Sequence, residues 1–365
     1  MRLLLFLWLL LLIPAGCPAQ PNVLYGERRL DRSTSAVFFD KDGNIYPDYF
    51  IPDSSLSHSD ASLKTWYKAH PADFATICNS YHCGFDKYTV INLLVLNDSI
   101  TASVKRSIEA KRTKAASVTF LVHGYRKSFK ALNGDSPAPQ DYGTLENAIN
   151  NFSNSPLLFV EVYWDGMYDC CFSKNTRRNK ELFKLFETAR ENAGKVGIGL
   201  RKLITGLSFD TINIVTHSLG AEVACSALFD TSKDRSATPA NKTLNLCLIA
   251  PAISGVERFQ AYYARNAAID YRTKDNYRLC IIYNSNDFVL KKKIGIFGPG
   301  PYKYGNTCLG CNYDNAAADL QLYFGSSYPH STVQLIDLSA TVGCHHVICY
   351  SAGDNLKGMV EFMRR

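Results

Sequence analysis

Residues 209–230 read FDTINIVTHSLGAEVACSALFD, and the reading of this stretch decides the fold. Ile212, Ile214 and Val215 form a short apolar run rich in β-branched side chains, the composition of a buried strand. The run ends in Thr216-His217-Ser218-Leu219-Gly220. From there, Ala221, Val223, Ala224, Ala227 and Leu228 give one apolar helical face. A strand, a sharp turn with serine at its tip and then a helix is the setting in which a serine hydroxyl is presented as a nucleophile. Such a turn is strained and packs its helix close to the strand, so it needs small neighbours. Gly220 is one, whereas Thr216 stands where the G-x-S-x-G pattern has its first glycine. The plain alternative is an ordinary strand-to-helix turn.

Outward from this stretch, strands alternate with helices from residue 116 onward, the pattern of a parallel sheet in an α/β layer fold. Strands are expected at 118–122, 157–163, 244–249, 277–283 and 333–338. One long helix, or two broken at Gly194, Gly197 and Gly199, is expected over 181–207. An amphipathic helix with Leu356, Met359, Val360 and Met363 on one face closes the chain. In such folds the loops at the carboxyl ends of the strands carry the chemistry.

A serine hydroxyl needs a base, and the base needs an orienting carboxylate. In this context the partners follow in the order Ser, acid, His. Asp287 lies just beyond the strand at 277–283, and His345 and His346 lie beyond the last strand. Asp270, Asp275 and Asp314 compete for the acid, but none directly follows so clear a strand. Adjacent residues in extended chain point in opposite directions, so one of the two histidines faces the serine. His346, nearer the apolar anchor Val347-Ile348, is expected to be the base, with His345 the alternative. Two backbone N–H groups are needed for an oxyanion. Leu219, the residue after the serine, supplies one, and Tyr125 in His123-Gly124-Tyr125 supplies the other, with His123 holding that loop by hydrogen bonds.

FLVHGYRKSF from Phe120, INIVTHSLGAEV from Ile212, LNLCLIAPAI from Leu244, CIIYNSNDFVL from Cys280 and CHHVICY from Cys344 together resemble the α/β-hydrolase superfamily. More narrowly, they are similar to the uncharacterised bacterial DUF900 esterase/lipase-like group. The resemblance covers residue 118 to the C-terminus. It implies an α/β-hydrolase fold with a mostly parallel central sheet and helices on both faces. It also implies a serine hydrolase acting on small-molecule or lipid esters through an acyl-enzyme, without cofactor or metal. A binding protein on the same fold with catalysis lost, a thioesterase and a peptidase are the alternatives.

The chain has 365 residues, 46% apolar and 20% charged, an ordinary globular composition. Its formal charge of +7 is spread thinly. The clusters at Lys105–Lys114 and Lys291–Lys293 read as solvated faces, and no nucleic-acid motif accompanies them. Residues 1–19 read as a secretory signal: Arg2, an apolar run over 3–13, then Cys17-Pro18-Ala19. The run is too short for a comfortable membrane span, and no other segment is long and apolar enough. A secreted or periplasmic protein follows; the rival is a lipoprotein anchored through Cys17. Residues 20–115 form an extension whose pattern is poorly readable, ahead of a catalytic domain over 116–365. Within it, residues 35–51 suggest a hairpin about Asp42-Gly43, a turn rather than a calcium loop. A strand is expected at 90–96 and a surface helix at 103–114.

Of twelve cysteines, Cys225, Cys247 and Cys280 sit in apolar runs and read as buried thiols. Cys78 and Cys83, Cys170 and Cys171, Cys308 and Cys311, and Cys344 and Cys349 lie close in sequence and read as loop cysteines held in disulfides, whose connectivity the sequence leaves open. Zinc bound by Cys308, Cys311, Cys344 and Cys349 is the alternative. The long segments 126–156 and 288–332 are expected to be loops shaping the substrate site, the second a cover or a disulfide-pinned surface loop.

Overall fold

A computed structural model of the chain describes residues 34–48, 62–112, 115, 117–125, 127, 137–164, 166, 179–230, 242–261, 263, 277–291, 307–328 and 330–364. The leader at 1–19 with Cys17, the cysteines Cys170 and Cys171, the acids Asp270 and Asp275, and Lys292 and Lys293 lie outside these residues, as do residues 292–306 and 329 of the expected cover.

Among the described residues seven strands form one sheet: β1 (Ser35–Phe39), β2 (Ser117–Val122), β3 (Leu158–Trp164), β4 (Thr211–His217), β5 (Thr243–Ile249), β6 (Tyr277–Tyr283) and β7 (Thr332–Asp337). Their order is β1-β3-β2-β4-β5-β6-β7, and every neighbouring pair is parallel. Parallel strands of this kind are buried on both faces, and β4, β5 and β6 are accordingly buried along nearly their whole length. β4 lies at the centre, with Thr216 in register with Val122 of β2 and Leu248 of β5.

The helices fall into two groups. α5 (Asn179–Ile204) packs against both α3 (Val90–Ala110) and α6 (Gly220–Phe229). α4 (Ala138–Phe152) packs with α9 (Val347–Tyr350) and α10 (Lys357–Arg364). The short α1 (Leu63–Ala69) and α2 (Pro71–Ser80) precede α3, while α7 (Val256–Ala261) and α8 (Ala316–Ser327) flank β6 in sequence. A buried polar row ties the sheet to α10: Asn213 Nδ2 donates to Thr119 Oγ1 (3.1 Å), and Asn245 Nδ2 donates to Asn213 Oδ1 (2.7 Å) and the Met363 carbonyl (3.1 Å). These amides would be costly to bury unpaired. Sheet, crossovers and layering are those of an α/β-hydrolase fold.

Several elements differ from the sequence expectation. Residues 90–96 begin a helix, not a strand, and this helix runs on to Ala110, into the stretch read separately at 103–114. Thr89 accepts the Asn92 N–H as its N-cap (3.0 Å), and Leu93, Leu96, Ile100 and Ile108 face the core at helical spacing. The β-branched start of the run favours a strand, but the helical spacing of its core-facing residues prevails. The expected hairpin at 35–51 keeps its turn but has only one antiparallel bridge, Phe39 to Ile45, among the described residues. Its first strand instead joins the sheet edge beside β3. Asp40 holds the turn: Oδ1 accepts the N–H groups of Asp42 and Asn44 (2.9 and 2.8 Å), and Oδ2 that of Leu63 (2.7 Å). Segment 126–156 contains α4, and 288–332 contains α8, so neither is a simple loop.

Gly194, Gly197 and Gly199 do not break α5. Gly197 instead lets α6 approach: a Cβ there would lie 2.6 Å from both Ser226 Cβ and the Val223 carbonyl oxygen. A helical Gly→Ala change gains about 1 kcal/mol of propensity, whereas overpacking costs about 1–3 kcal/mol. Two of the three nearest atoms are backbone and cannot turn aside, so the packing cost should win. Gly197→Ala is expected to lower the melting temperature; an unchanged or raised value in a thermal melt would refute the close-approach account.

Candidate functional site

The site is built at the carboxyl end of β4. Ser218 sits there with φ +54°, the left-handed conformation that side chains other than glycine rarely adopt. Neighbours impose it. The Ser218 N–H donates to the Ile249 carbonyl of β5 (3.0 Å), and its carbonyl accepts the N–H groups of Ala252 (3.0 Å) and Ala221 (3.2 Å). At Gly220 a Cβ would stand 2.5 Å from the Val122 carbonyl oxygen and 2.7 Å from that of His123. Thr216, by contrast, fits without a small residue, because its side chain lies within the buried sheet face. Ser218 itself is buried, only 7% exposed.

The loop after β2 rests on this turn. A Cβ on Gly124 would meet Ser218 Cβ at 2.7 Å, the His217 carbonyl oxygen at 2.9 Å and Leu219 N at 3.4 Å. Gly124 therefore sets the backbone leading into Tyr125 beside that of Leu219, the two residues expected to bind an oxyanion. The Tyr125 ring packs edge-on against Phe186 of α5, with centroids 5.5 Å apart.

His123 anchors that loop. The Trp164 backbone N–H donates to its Nε2 (3.2 Å), so Nδ1 carries the proton and donates to the Gly124 carbonyl (2.9 Å). The Trp164 indole N–H donates to the His123 carbonyl (2.9 Å), and the His123 N–H donates to the Tyr142 hydroxyl (2.8 Å). The imidazole stacks on the Trp164 ring at an interplanar angle of 11°. Burial above all pushes its pKa down to about 4, so it is a neutral fixture.

The structure brings His345, and not His346, to Ser218. His345 Nε2 lies 2.9 Å from Ser218 Oγ, and Nδ1 lies 2.7 Å from Asp287 Oδ2. His346 is exposed and occupies the N-cap position of α9 with extended backbone. The reason is the alternation itself: Val347 turns into the core, so its neighbour His346 points out and His345 points in. Being next to the apolar anchor was therefore an argument against His346. The loop is closed by a Cys344–Cys349 disulfide, with the histidine pair inside the ring.

Asp287 is buried, and both carboxylate oxygens are engaged. Oδ1 accepts the N–H groups of Val289 (3.0 Å) and Leu290 (3.1 Å); Oδ2 accepts His345 Nδ1–H and the Tyr350 hydroxyl (3.2 Å). Burial by itself would raise its pKa. The hydrogen bond and charge of His345, the Leu290 N–H and the Tyr350 hydroxyl outweigh that and hold it below the ordinary carboxylate range. Asn284 ties the acid loop to the base loop, its Nδ2 donating to the Val342 carbonyl (2.9 Å). Asp314 lies on a turn before α8 and makes no part of this arrangement.

Tyr350, Asn284, Trp164 and Tyr142 were not singled out in the sequence. Only Tyr350 carried a signal, as the polar-tipped aromatic closing CHHVICY. Cys78, Cys83, Cys308 and Cys311 are free thiols, as are Cys225, Cys247 and Cys280. Two of the four cysteines weighed as zinc ligands are joined to each other, and among the described residues no cluster of three or more His, Cys, Asp or Glu is placed to hold a metal. What the arrangement offers is a hydroxyl on a strained turn, a base within proton-transfer distance and a buried anion behind that base.

Two expectations follow. Because Asp287 is held low in the folded chain, it contributes stability that is present above the unfolded carboxylate pKa of about 4 and is lost as pH falls through the lower folded value. Stability measured by denaturant titration should lose part of this acid dependence in Asp287→Asn; identical profiles would contradict it. Reducing Cys344–Cys349 opens a short ring, for which chain entropy gives about 2 kcal/mol. Reductant should lower the melting temperature modestly and speed amide exchange across 345–350; exchange unchanged there would mean the loop is held without its disulfide.

No protein-family profile matches the chain, and no curated protein matches it. The solved structures that match include the crystal structure of TT1662 from Thermus thermophilus. It is 12% identical, covers 69% of this chain and 91% of its own, and has a TM-score of 0.35.

Proposed function

We propose that this chain is a serine hydrolase, acting on carboxylic esters of small molecules or lipids through an acyl-enzyme on Ser218. The observation that carries the reading is the unbroken relay Ser218 Oγ, His345, Asp287, at 2.9 and 2.7 Å, in the chain order Ser, Asp, His. In this proposal Ser218 Oγ attacks the ester carbonyl while His345 Nε2 takes its proton. His345 returns that proton to the leaving alcohol. Water, deprotonated by the same nitrogen, then attacks the acyl-enzyme and releases the acid. Asp287 keeps the Nδ1–H tautomer and offsets the charge on the imidazolium. The backbone N–H groups of Leu219 and Tyr125 bind the oxyanion, a role supported by the contact of Gly124 with the serine turn.

No cofactor has a part in these steps. Thioesters and amides are chemically open to the same machinery, and the likeness to the DUF900 esterase/lipase-like group rests on the quoted motifs alone. We further propose that the chain is exported, with anchoring through Cys17 as the alternative. The Cys344–Cys349 disulfide supports an oxidising compartment.

A fluorophosphonate probe tests the reading directly. The folded protein should be labelled at Ser218, and Ser218→Ala should abolish both labelling and turnover of a short-chain p-nitrophenyl ester. His345→Ala should lower kcat by several orders of magnitude, on the order of 10⁴ to 10⁶, because the three groups work as a unit. His346→Ala should stay within a few fold. A folded wild type left unlabelled would favour the reading of a binding protein on this fold.

A further inference from the structure

His217, the residue before the serine, has a second partner across the site. Its Nε2 lies 2.7 Å from the backbone carbonyl oxygen of His345. A carbonyl only accepts, so Nε2 carries the proton and donates. The His217 ring is buried against the His345 ring, with centroids 4.9 Å apart and planes 43° apart, and the Tyr350 ring lies 6.3 Å away. One side chain on β4 thus grips the main chain of the loop that carries the base, next to the serine that the base serves. Nothing in the Ser–His–Asp relay requires that bond.

We infer that His217 is a positioning residue: its Nε2–H fixes the His345 carbonyl, and through it the reach of the His345 ring to Ser218 Oγ. The three relay residues come from loops after three different strands. Asp287 fixes the His345 ring from one side through Nδ1, and the Cys344–Cys349 ring limits the loop's conformations. Neither sets how far the backbone stands from β4. The His217 bond does, because its donor is built on the same strand as the nucleophile. The charged and titratable groups facing His217 are His345, Asp287, Lys127 and Tyr350. Burial first, then the charge of His345, keeps His217 neutral. A neutral donor can hold the loop while His345 becomes an imidazolium; a cation at this position would oppose that charge.

The kinetic part of this inference rests on the hydrolase reading, whereas the spectroscopic part does not. The test compares His217→Leu with His217→Gln, whose amide N–H can reach the same carbonyl. With a p-nitrophenyl ester, His217→Leu should lower kcat by about 10- to 100-fold with KM nearly unchanged, the cost of a small misplacement at a reacting group. His217→Gln should recover most of that loss. A purely structural role would lower folded protein without splitting kcat from KM and would show no recovery in the glutamine variant. In parallel, the downfield proton NMR signal of His345 Nδ1–H is followed in the Ser218→Ala background. It should persist in His217→Gln and broaden or vanish in His217→Leu. If the leucine variant does not fold, His217→Gln and His217→Asn, whose side chain is too short to reach the carbonyl, make the same comparison. Equal kcat in the donor and non-donor variants, or an unchanged Nδ1–H signal in the non-donor variant, would overturn the inference. A wild type that leaves Ser218 unlabelled but shows the expected NMR pattern would overturn the hydrolase reading alone.

Discussion

The carboxyl edge of this sheet depends on the close approach of helix α6 to the end of β2, where no side chain fits between Gly220 and the carbonyls of Val122 and His123. That contact sets the axis of α6, and the axis forces the chain leaving β4 to reverse within one residue. Ser218 absorbs the reversal at positive φ, a cost of order 1–3 kcal/mol. The bonds from its N–H and carbonyl to β5 and the following loop hold the strained residue in place. Further along α6, Glu222 is buried with its carboxylate accepting Arg258 Nε–H (2.9 Å) and the Tyr263 hydroxyl (2.9 Å). A buried anion matched by a cation and a hydroxyl stabilises little by itself, but leaving either partner out would be expensive. The helix behind the serine is therefore fixed in rotation as well as in distance.

Geometry and electrostatics at the site point the same way. The oxygens of Asp287 receive backbone N–H groups on one side and His345 and Tyr350 on the other, so the acid remains an anion despite its burial. His123 and His217 are both kept neutral by burial and act as hydrogen-bonding struts. Of the three buried or half-buried imidazoles clustered here, His345 alone bonds to a carboxylate. That difference in surroundings, and not residue type, sets His345 apart from the other two.

Much of this was legible in the sequence for physical reasons. Parallel strands buried on both faces are rich in apolar residues, so β2 to β6 could be read from composition, and the carboxyl ends of β4 and β6 located Ser218 and Asp287. Legibility failed where two signals conflicted. The run after Thr89 is β-branched at its start yet helically spaced, and packing of Leu93, Leu96 and Ile100 decided for helix. At His345 and His346 the alternation rule was sound, but its phase was taken from nearness to Val347 instead of from the direction Val347 faces. The supports supplied by Asn284, Tyr142 and Trp164 join loops far apart in the chain, and no local spacing records such pairings.

Of the seven described strands, β1 is the first to be synthesised, yet its one neighbour among them is β3, where Ser35 pairs with Val160. The partner emerges about 125 residues later, which at a synthesis rate of about 5–20 residues per second is a wait of roughly 6–25 seconds. For that interval β1, an apolar strand, has no partner among the described strands of this sheet. β1 thus joins its edge of the sheet only once β3 has been made, while β5, β6 and β7 are added later still on the opposite side. A chaperone that retains the amino-terminal segment would delay only this edge, leaving the serine turn free to form on the central strands.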